Sequence, residues 1–577
     1  MKNGKRISKI LALSVCLGMV STMFTGCFSS KAGTTSSSVS TKKPLTITVF
    51  DDAANFQGKQ TGWFGSLIKK KFNITLSILA PNASGSGLYQ TRAASGDLGD
   101  LLIISNSELS DCIKSGLVQD MTSTVKNYPN LMKYNKEFAY FNKTVDKTQN
   151  PEGKIYGFPT NTVPTSPTSY TSVAPYSSPM LPWNYYSGIG APAIKDLNGL
   201  MDVLQQMQKK YPTSPTGKKT IPITLWKDWD NYMMENARWL CNWYGYQLPD
   251  IGTSTLLVNK AGKTQDITSD SGIYKKILQF FYDANKKGLV DPDSASQSWN
   301  DVNTKLTNEQ VMLNWYSWQI GFFNTIDRGQ KGEGITQVPI ADTHIIQNGD
   351  AYYGDGRLYA IGSKCKDPAR VMQFMDWCVS TEGMRYLIDG IEGFNYAIKN
   401  GKMEFTKVGQ SAFQNNTPVP SKYGLGTGGY QDGQSKINIT ILGTVAIDPG
   451  TKEPYDNNFW SSYVKANKTK LTNAWIAKYK ADNSVKYYQE HKMLDVVPLI
   501  NINFGNDSSI VKNKRNQCRK ILCDTSWVMV FAKSQADFNS DWATMKTQLS
   551  GLGWSDLLKV DQSRMDVLVS ARKAVTK

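Results

Sequence analysis

Strand-like and helix-like stretches alternate between residues 45 and 104. Residues 45–50 and 74–79 alternate apolar β-branched with polar side chains, and a helical pattern between them ends at Lys71. Residues 101–104 are all apolar, which suits a strand that is buried on both faces. A succession of strand, helix and strand on this scale predicts a parallel sheet of the α/β class.

Polar residues follow two of these predicted strands. Asp51, Asp52 and Asn55 come after the first strand, and Asn106 comes after the all-apolar one. In open α/β sheets, ligands bind at the carboxyl ends of the strands. These four residues are therefore candidates for ligand binding.

The N-terminus has the pattern of a secretory signal. A basic start is followed by the apolar residues 10–24 and then by Thr25-Gly26-Cys27. This end resembles the lipobox of bacterial lipoproteins, with Phe24 in place of the usual Leu, and it predicts lipidation of Cys27. We expect a signal peptide over residues 1–26 and a flexible tether over residues 27–43. The alternative is an ordinary signal peptide with a chance cysteine.

The charge of the chain is basic, with 65 Lys and Arg against 48 Asp and Glu, a net charge of +17. The cations are scattered and the only short run is Lys69-Lys70-Lys71, so nucleic acid is not an expected partner. A solvated surface that faces an anionic cell wall explains the excess. No later stretch has 18 consecutive apolar residues, so the lipid is the only membrane anchor that we expect.

The sequence indicates no catalytic or metal centre. The only two histidines, His344 and His491, are far apart, and no H-E-x-x-H, C-x-x-C or G-x-S-x-G motif occurs. Residues 424–429 fit G-x-G-x-x-G but follow no predicted strand, and residues 291–302 begin like a calcium loop but lack its later ligands. We expect no cofactor, no metal and no catalytic residue. Spacing leaves open whether Cys518–Cys523 or Cys365–Cys378 form disulfides.

Several short segments, in order, resemble the extracellular solute-binding proteins of family 1, in the large Firmicute lipoprotein branch that serves ABC importers of oligosaccharides. The matching segments are residues 95–101, 116–122, 154–159, 182–192, 288–293, 367–377, 382–383 and 391–393. Gly99 stands where the family usually has Pro, and Asn184 replaces an acidic residue, which puts a charge role at that position in doubt. The resemblance runs from about residue 45 to the C-terminus.

The resemblance implies a fold and a set of partners. The implied fold is the two-lobed, α/β, type II fold of periplasmic binding proteins, with the ligand in a cleft between lobes that a hinge joins. The implied lobe limits are residues 44–157 for the first part of lobe 1, 158–345 for the first part of lobe 2, 346–420 for the return to lobe 1 and the hinge, and 421–577 mostly for lobe 2. The implied partners are an oligosaccharide, ABC permease subunits in the membrane and a separate cytoplasmic ATPase, with the protein itself a lipid-anchored monomer on the outer face of a Gram-positive membrane.

Aromatic and acidic residues are the candidates for sugar binding, because sugar C–H faces pack on rings and sugar hydroxyls bond to planar polar groups. Trp226, Trp229, Trp315 and Trp318 mix with polar residues in loop-like contexts, and Trp63 follows the loop after the first strand. For these rings, a cleft position and a core position are equally supported. A core position is favoured for Trp239 and Trp243, which lie four residues apart.

Asp355 is a further candidate. It lies between Gly354 and Gly356, and glycines on either side allow the backbone to approach a ligand closely. A plain turn is the alternative. The sequence therefore predicts a cell-surface lipoprotein that binds an oligosaccharide. The rival functions are a glycoside-active enzyme, which needs a pair of carboxylates, and a wall-associated adhesin. Closure about a hinge would distinguish the binding protein from both.

Overall fold

A computed structural model describes residues 43–84, 87–505 and 507–576. The predicted signal peptide, the lipidation site Cys27 and the tether up to residue 42 lie outside the described residues. Within the described part of the chain, no helix has the length and apolar character that crossing a membrane requires.

The strands are β1 (Leu45–Asp51), β2 (Gly58–Lys59), β3 (Ile74–Leu79), β4 (Leu101–Ser105), β5 (Phe158–Pro159), β6 (Ser177–Pro182), β7 (Leu256–Val258), β8 (Thr264–Asp266), β9 (Asn314–Tyr316), β10 (Ile335–Gln337), β11 (Ile345–Asn348), β12 (Arg357–Ile361), β13 (Tyr396–Lys399), β14 (Lys402–Phe405) and β15 (Leu494–Val497).

The α-helices are α1 (Gly62–Phe72), α2 (Pro81–Ser84), α3 (Leu88–Ala94), α4 (Asn106–Lys114), α5 (Pro129–Met132), α6 (Asn135–Val145), α7 (Trp183–Gly188), α8 (Leu197–Lys210), α9 (Glu235–Cys241), α10 (Ile273–Lys286), α11 (Trp299–Thr307), α12 (Ile326–Lys331), α13 (Pro368–Cys378), α14 (Thr381–Met384), α15 (Gly409–Asn415), α16 (Tyr430–Gly433), α17 (Ser461–Ala466), α18 (Lys470–Tyr479), α19 (Ser484–Glu490), α20 (Ser509–Val530), α21 (Gln535–Gly551) and α22 (Trp554–Thr576).

Lobe 1 is built on a sheet with the strand order β2-β3-β1-β4-β12-β5. β3, β1 and β4 are parallel, as the alternation of strand and helix predicts. β12 and β5 extend the sheet with antiparallel pairing. The alternate residues Ile74, Leu76 and Ile78 of β3 point to one buried face, and α1 and α13 pack on the same core.

Helix α13 shows how the sequence fixes an element of lobe 1. The Asp367 side chain accepts a hydrogen bond from the backbone N–H of Arg370 at 3.2 Å, and Pro368 occupies the first helical position. Both features favour helix initiation, because the Asp side chain pairs an otherwise unpaired N–H and Pro has none to pair. The helix buries Val371, Phe374 and Met375 against the sheet.

Lobe 2 has a small antiparallel sheet with the order β10-β6-β9, surrounded by helices. Its core takes residues from α8, α10 and the long C-terminal helices α20 and α21. α8 and α10 begin at Leu197 and Ile273, where helical spacing of apolar residues predicts them. The two cores share no residue, which is the basis for describing two lobes.

The lobe connections run through three stretches of chain. β5 still belongs to the lobe 1 sheet while β6 belongs to lobe 2, and β11 and β12 mark the return. Farther on, Ile437, Ile441 and Tyr455 belong to the lobe 1 core, whereas Leu471 and Trp475 of α18 belong to that of lobe 2. The C-terminal region thus contributes to both cores, and the predicted lobe limits stay a prediction.

Two motifs that the sequence analysis set aside have ordinary structural roles. Residues 424–429 lie between a short 3₁₀ turn over Ser421–Tyr423 and α16, without a preceding strand. In the calcium-like loop, the Lys305 ammonium lies 2.6 Å from Asp291 Oδ2 and 2.7 Å from Gln297 Oε1. A lysine therefore supplies the positive charge in that loop. The six cysteines among the described residues are all free thiols.

Candidate functional site

A cavity of about 660 Å³ lies between the lobes. Lobe 1 contributes the start of α4 and the residues just before and at the start of β12, and lobe 2 contributes the loop before β7 and one side chain of α22. The segment 501–505 completes the wall. The lining residues are Ser105, Asn106, Ser107, Ser110, Asp111, Tyr232, Asp250, Ile251, Gly252, Gly356, Arg357, Asn501, Ile502, Asn503, Phe504, Gly505 and Arg564.

Asn106 lines this cavity, at the carboxyl end of β4 where the sequence places it. Ser105 caps α4: its side chain accepts from Ser107 N at 3.2 Å, and the Glu108 carboxylate accepts from Ser105 N at 3.1 Å. Asn106 Nδ2 donates to the backbone oxygen of Asp355 at 2.8 Å. The side chain is therefore held against the β12 side of the cavity, and its Oδ1 is buried without a hydrogen-bond partner.

The other residues after the first strand have different positions. Asp51 is fully buried and accepts from Ala53 N at 2.9 Å, and burial raises the pKa of its carboxyl from 3.8 to about 6. Asp52 forms an ion pair of 2.6 Å with Nε of Arg357, which lines the cavity. Asn55 is exposed and lies outside the cavity wall. Thus Asn106 lies in the cavity wall, and Asp52 contacts a wall residue, Arg357. Asp51 and Asn55 do not line the cavity.

Asp355 supports the site from behind the wall. Its carboxylate accepts from the Thr160 hydroxyl and from Asn161 Nδ2, at 2.5 and 2.6 Å. A Cβ atom added to Gly354, whose φ is +80°, would lie 2.2 Å from Pro159 Cβ. Glycine is therefore required at position 354 because the backbone there packs closely on the chain that connects the lobes. Asp355 holds the same connection through its two hydrogen bonds.

Trp63 is part of the lobe 1 core. It is 3% exposed, its Nε1 donates to the backbone oxygen of Tyr430 at 2.9 Å, and the two rings are stacked with centroids 5.4 Å apart. A solute in the cleft cannot contact this ring. The structure thus supports the core alternative for Trp63.

The lobe 2 tryptophans form one aromatic cluster. Trp226 and Trp315 are each 1% exposed and stack with centroids 5.5 Å apart, so they are core residues. Trp229 and Trp318 are half-buried, with ring centroids 5.9 Å apart. Trp299, which the sequence analysis did not single out, packs on both of them. Of the four predicted rings, only Trp229 and Trp318 retain partly exposed surface.

The aromatic cluster continues to a second cavity of about 400 Å³. Its wall consists of Tyr170, Tyr176, Arg238, Trp239, Asn242, Gln247, Leu248, Asp250, Gln347 and Asn348. Asp250 lines both cavities, so they adjoin. Tyr176 is 41% exposed, and its ring centroid lies 4.9 Å from that of Trp239. Trp239 is half-buried in this wall, where the sequence favoured a core position. Trp243 is fully buried as expected, but it lies beyond the end of α9 at Cys241 and not on the same helix face.

Sequence reasoning missed most of the wall because it draws on distant parts of the chain. Asn501, Asn503 and Arg564 follow Asn106 by 395, 397 and 458 residues, and no motif marks them. Arg357 carried a usable signal, since it follows Asp355 and Gly356 in the glycine-rich turn. Among the described residues, no group of three or more His, Cys, Asp or Glu could hold a metal ion.

Comparison with known proteins identifies the architecture. A family model for bacterial extracellular solute-binding proteins matches residues 58–385, more than half of the chain. No curated protein matches the chain. The fold is the two-lobed fold of periplasmic binding proteins, which similar solved structures share over nearly their whole length.

Three of these structures are similar to the chain at low sequence identity. The alginate-binding protein AlgQ2, in a crystal structure without calcium ion, is 16% identical with a TM-score of 0.59 and covers 91% of this chain and 98% of its own. An HMO-binding, ABC-transporter-associated solute-binding protein from Bifidobacterium longum infantis is 14% identical with a TM-score of 0.60, covering 92% and 99%. The S. pneumoniae substrate-binding protein FusA, an EF-hand mutant in complex with fructo-nystose, is 15% identical with a TM-score of 0.58, covering 92% and 100%.

Proposed function

We propose a function from one premise: the chain belongs to the family of bacterial extracellular solute-binding proteins. In this proposal the protein binds an oligosaccharide in the cleft between its lobes and delivers it to the permease subunits of an ABC importer. The observation that carries the proposal is the cavity of about 660 Å³, whose wall is shared by both lobes and is rich in Ser, Asn, Asp and Arg. Such a wall suits the many hydroxyls of a sugar better than it suits an apolar solute.

The adjoining cavity adds the second element that a sugar requires. Tyr176 and Trp239 offer partly exposed rings there, and rings pack on the C–H faces of sugars. Because Asp250 lines both cavities, one extended solute can occupy them together. The three similar structures support this proposal through their own names, which refer to alginate, HMO and fructo-nystose.

The test is binding of uncleaved solute with closure. We expect calorimetry on the purified protein to detect one class among a panel of oligosaccharides. Small-angle scattering should then show a smaller radius of gyration, since a solute that contacts both lobes favours the closed state. Chromatography should return the solute intact. Cleavage in excess over protein would instead identify a glycoside-active enzyme, and binding without closure would favour an adhesin.

The anchor is a separate part of the proposal. We place the protein on the outer face of the membrane, as a monomer held by lipid on Cys27, on the strength of the lipobox-like residues 24–27. Replacement of Cys27 by Ala should leave the precursor unprocessed or release the protein into the medium. Unchanged membrane retention of the Cys27→Ala variant would contradict lipidation.

A further inference from the structure

The cleft contains two carboxylates without cationic partners. Asp111 lies on α4 of lobe 1 and Asp250 lies in the loop before β7 of lobe 2, and both line the main cavity. Both residues are exposed. In the described part of the chain, neither carboxylate takes part in an ion pair of 4.0 Å or less or accepts a side-chain or backbone hydrogen bond. Each lobe thus presents one uncompensated negative charge to the same space.

The positive charges in the same wall are already neutralised. Arg357 Nε lies 2.6 Å from Asp52 Oδ1. Arg564 donates from Nη2 to Asp507 Oδ1 at 2.6 Å and from Nη1 to the Gly252 backbone oxygen at 2.7 Å. The lining residues include no lysine and no histidine. Among the lining residues, Asp111 and Asp250 are therefore the charged groups without an ion pair, although the whole chain carries a net charge of +17.

Two neutral amides of the wall donate to the backbone. Asn106 uses its Nδ2 to bond the Asp355 backbone, which leaves its buried Oδ1 as an acceptor that lacks a donor. Asn501 likewise uses its Nδ2, which donates to the Gly354 backbone oxygen at 2.7 Å. Both amides thus direct Nδ2 toward backbone oxygens rather than toward a ligand, and the preference of the wall depends on Asp111 and Asp250.

We propose that the solute is cationic: an oligosaccharide that contains amino sugars with free ammonium groups, which Asp111 and Asp250 bind from the two lobes. This inference rests on the proposed function, because it names the class of sugar for the same cleft. An ammonium group donates three hydrogen bonds and carries the charge that the carboxylates lack. Because one carboxylate lies on each lobe, such a solute also favours the closed arrangement of the lobes.

The experiment compares tetrasaccharides that differ in the group at carbon 2 or in charge. The probes are a glucosamine tetramer, the corresponding N-acetylglucosamine tetramer, a neutral glucose tetramer and a uronic acid tetramer, and spermine serves as a control cation without a sugar. We expect calorimetry near pH 6 to give at least about tenfold tighter binding of the glucosamine tetramer than of any other probe. This advantage should shrink as salt rises from low to about 0.5 M, because salt screens charges on the exposed carboxylates.

The variants Asp111→Asn and Asp250→Asn keep the size of the side chain and remove its charge. Each should reduce the ratio of glucosamine-tetramer affinity to N-acetylglucosamine-tetramer affinity by about threefold, since the two carboxylates share a preference of about tenfold. Glu392→Gln is the matched control, since Glu392 is an exposed acid of lobe 1 outside the cavity wall and its loss should leave the ratio unchanged. Melting temperatures of all three variants establish that they fold.

The outcomes separate this inference from the proposed function. Tightest binding of a neutral or uronic acid tetramer, or an unchanged ratio in both Asn variants, overturns the cationic solute and leaves an oligosaccharide-binding protein. Binding of spermine with no binding of any tetrasaccharide overturns the carbohydrate assignment, and the amino-sugar assignment with it. The expected order of affinities, together with its loss in both variants, supports both proposals.

Discussion

The two lobes use aromatic rings in opposite ways. In lobe 1, Trp63 and Tyr430 stack inside the core, and the lobe presents Ser, Asn and Asp side chains to the cleft. In lobe 2, the buried pair Trp226 and Trp315 supports a layer of rings that remain partly exposed. The main cavity is thus suited to hydrogen bonding, and the adjoining cavity of lobe 2 also offers the partly exposed rings of Tyr176 and Trp239 for stacking. A ring therefore takes its role from the residues that enclose it, and not from its position after a strand or in a polar loop.

Replacement of Trp63 by Ala tests the lobe 1 half of this comparison and has the largest expected effect. Because the ring is a buried core residue with a satisfied Nε1, its removal leaves a cavity and should lower the free energy of unfolding by about 3–5 kcal/mol. Denaturant titration monitored by circular dichroism measures this loss. Solute affinity of the remaining folded protein should not change. A stable Trp63→Ala variant with weakened binding would place the ring in the cleft instead.

Carboxylates also differ in burial: Asp51 is buried in lobe 1, whereas Asp111 and Asp250 are exposed in the cleft. The pH dependence of stability tests the burial of Asp51. The pKa of buried Asp51 is about 6, raised from 3.8, so the folded state binds this proton more tightly than the unfolded state does. Its contribution to stability is present below about pH 3.8 and is lost as the pH rises through about 6. Asp51→Asn removes this dependence. Relative to wild type, the variant should gain at most about 3 kcal/mol between pH 3.5 and pH 7, at about 1.4 kcal/mol per pKa unit.

Denaturant titrations of both proteins across this range give the difference in unfolding free energy. Glu392→Gln is the control for replacing a carboxylate by an amide at an exposed position. A constant difference between Asp51→Asn and wild type would show that Asp51 is solvated in the folded protein. It would then return to the set of candidate ligand-binding residues.

Local patterns predicted the elements better than the site. The strands β1, β3 and β4 and the helices α8, α10 and α13 occur where periodicity and capping residues place them, because those signals lie within each element. Asn106 could be found because the end of a buried parallel strand is a local feature. Asp111, Asp250 and Arg564 could not, since only the packing of three distant segments brings them to one cavity.

Burial could not be predicted for the tryptophans for a related reason. Trp226 and Trp229 are three residues apart in the same loop, yet one is enclosed by Trp315 and the other borders solvent. The partner rings come from residues 299–318, which the local sequence does not reveal. Tyr176 was missed because a single exposed tyrosine before a strand has no periodic or compositional signal.

Tyr176 provides the last test, on the lobe 2 side of the comparison, and the smallest expected effect. Its ring, just before β6, is 41% exposed and lies in the wall of the second cavity, so its removal creates no internal void. Tyr176→Ala should change the free energy of unfolding by less than about 1 kcal/mol. If the ring packs on a sugar, its loss should weaken the binding free energy by about 1–3 kcal/mol, by analogy with other stacking platforms.

Tyr176→Phe is the matched control, since it keeps the ring and loses only the hydroxyl, and it should retain most of the affinity. Calorimetry with a solute long enough to reach both cavities measures the loss, and a disaccharide confined to the main cavity should show little of it. Equal affinity of the Ala and Phe variants for the long solute would mean that lobe 2 does not bind through this ring, and stacking in that cavity would then depend on Trp239.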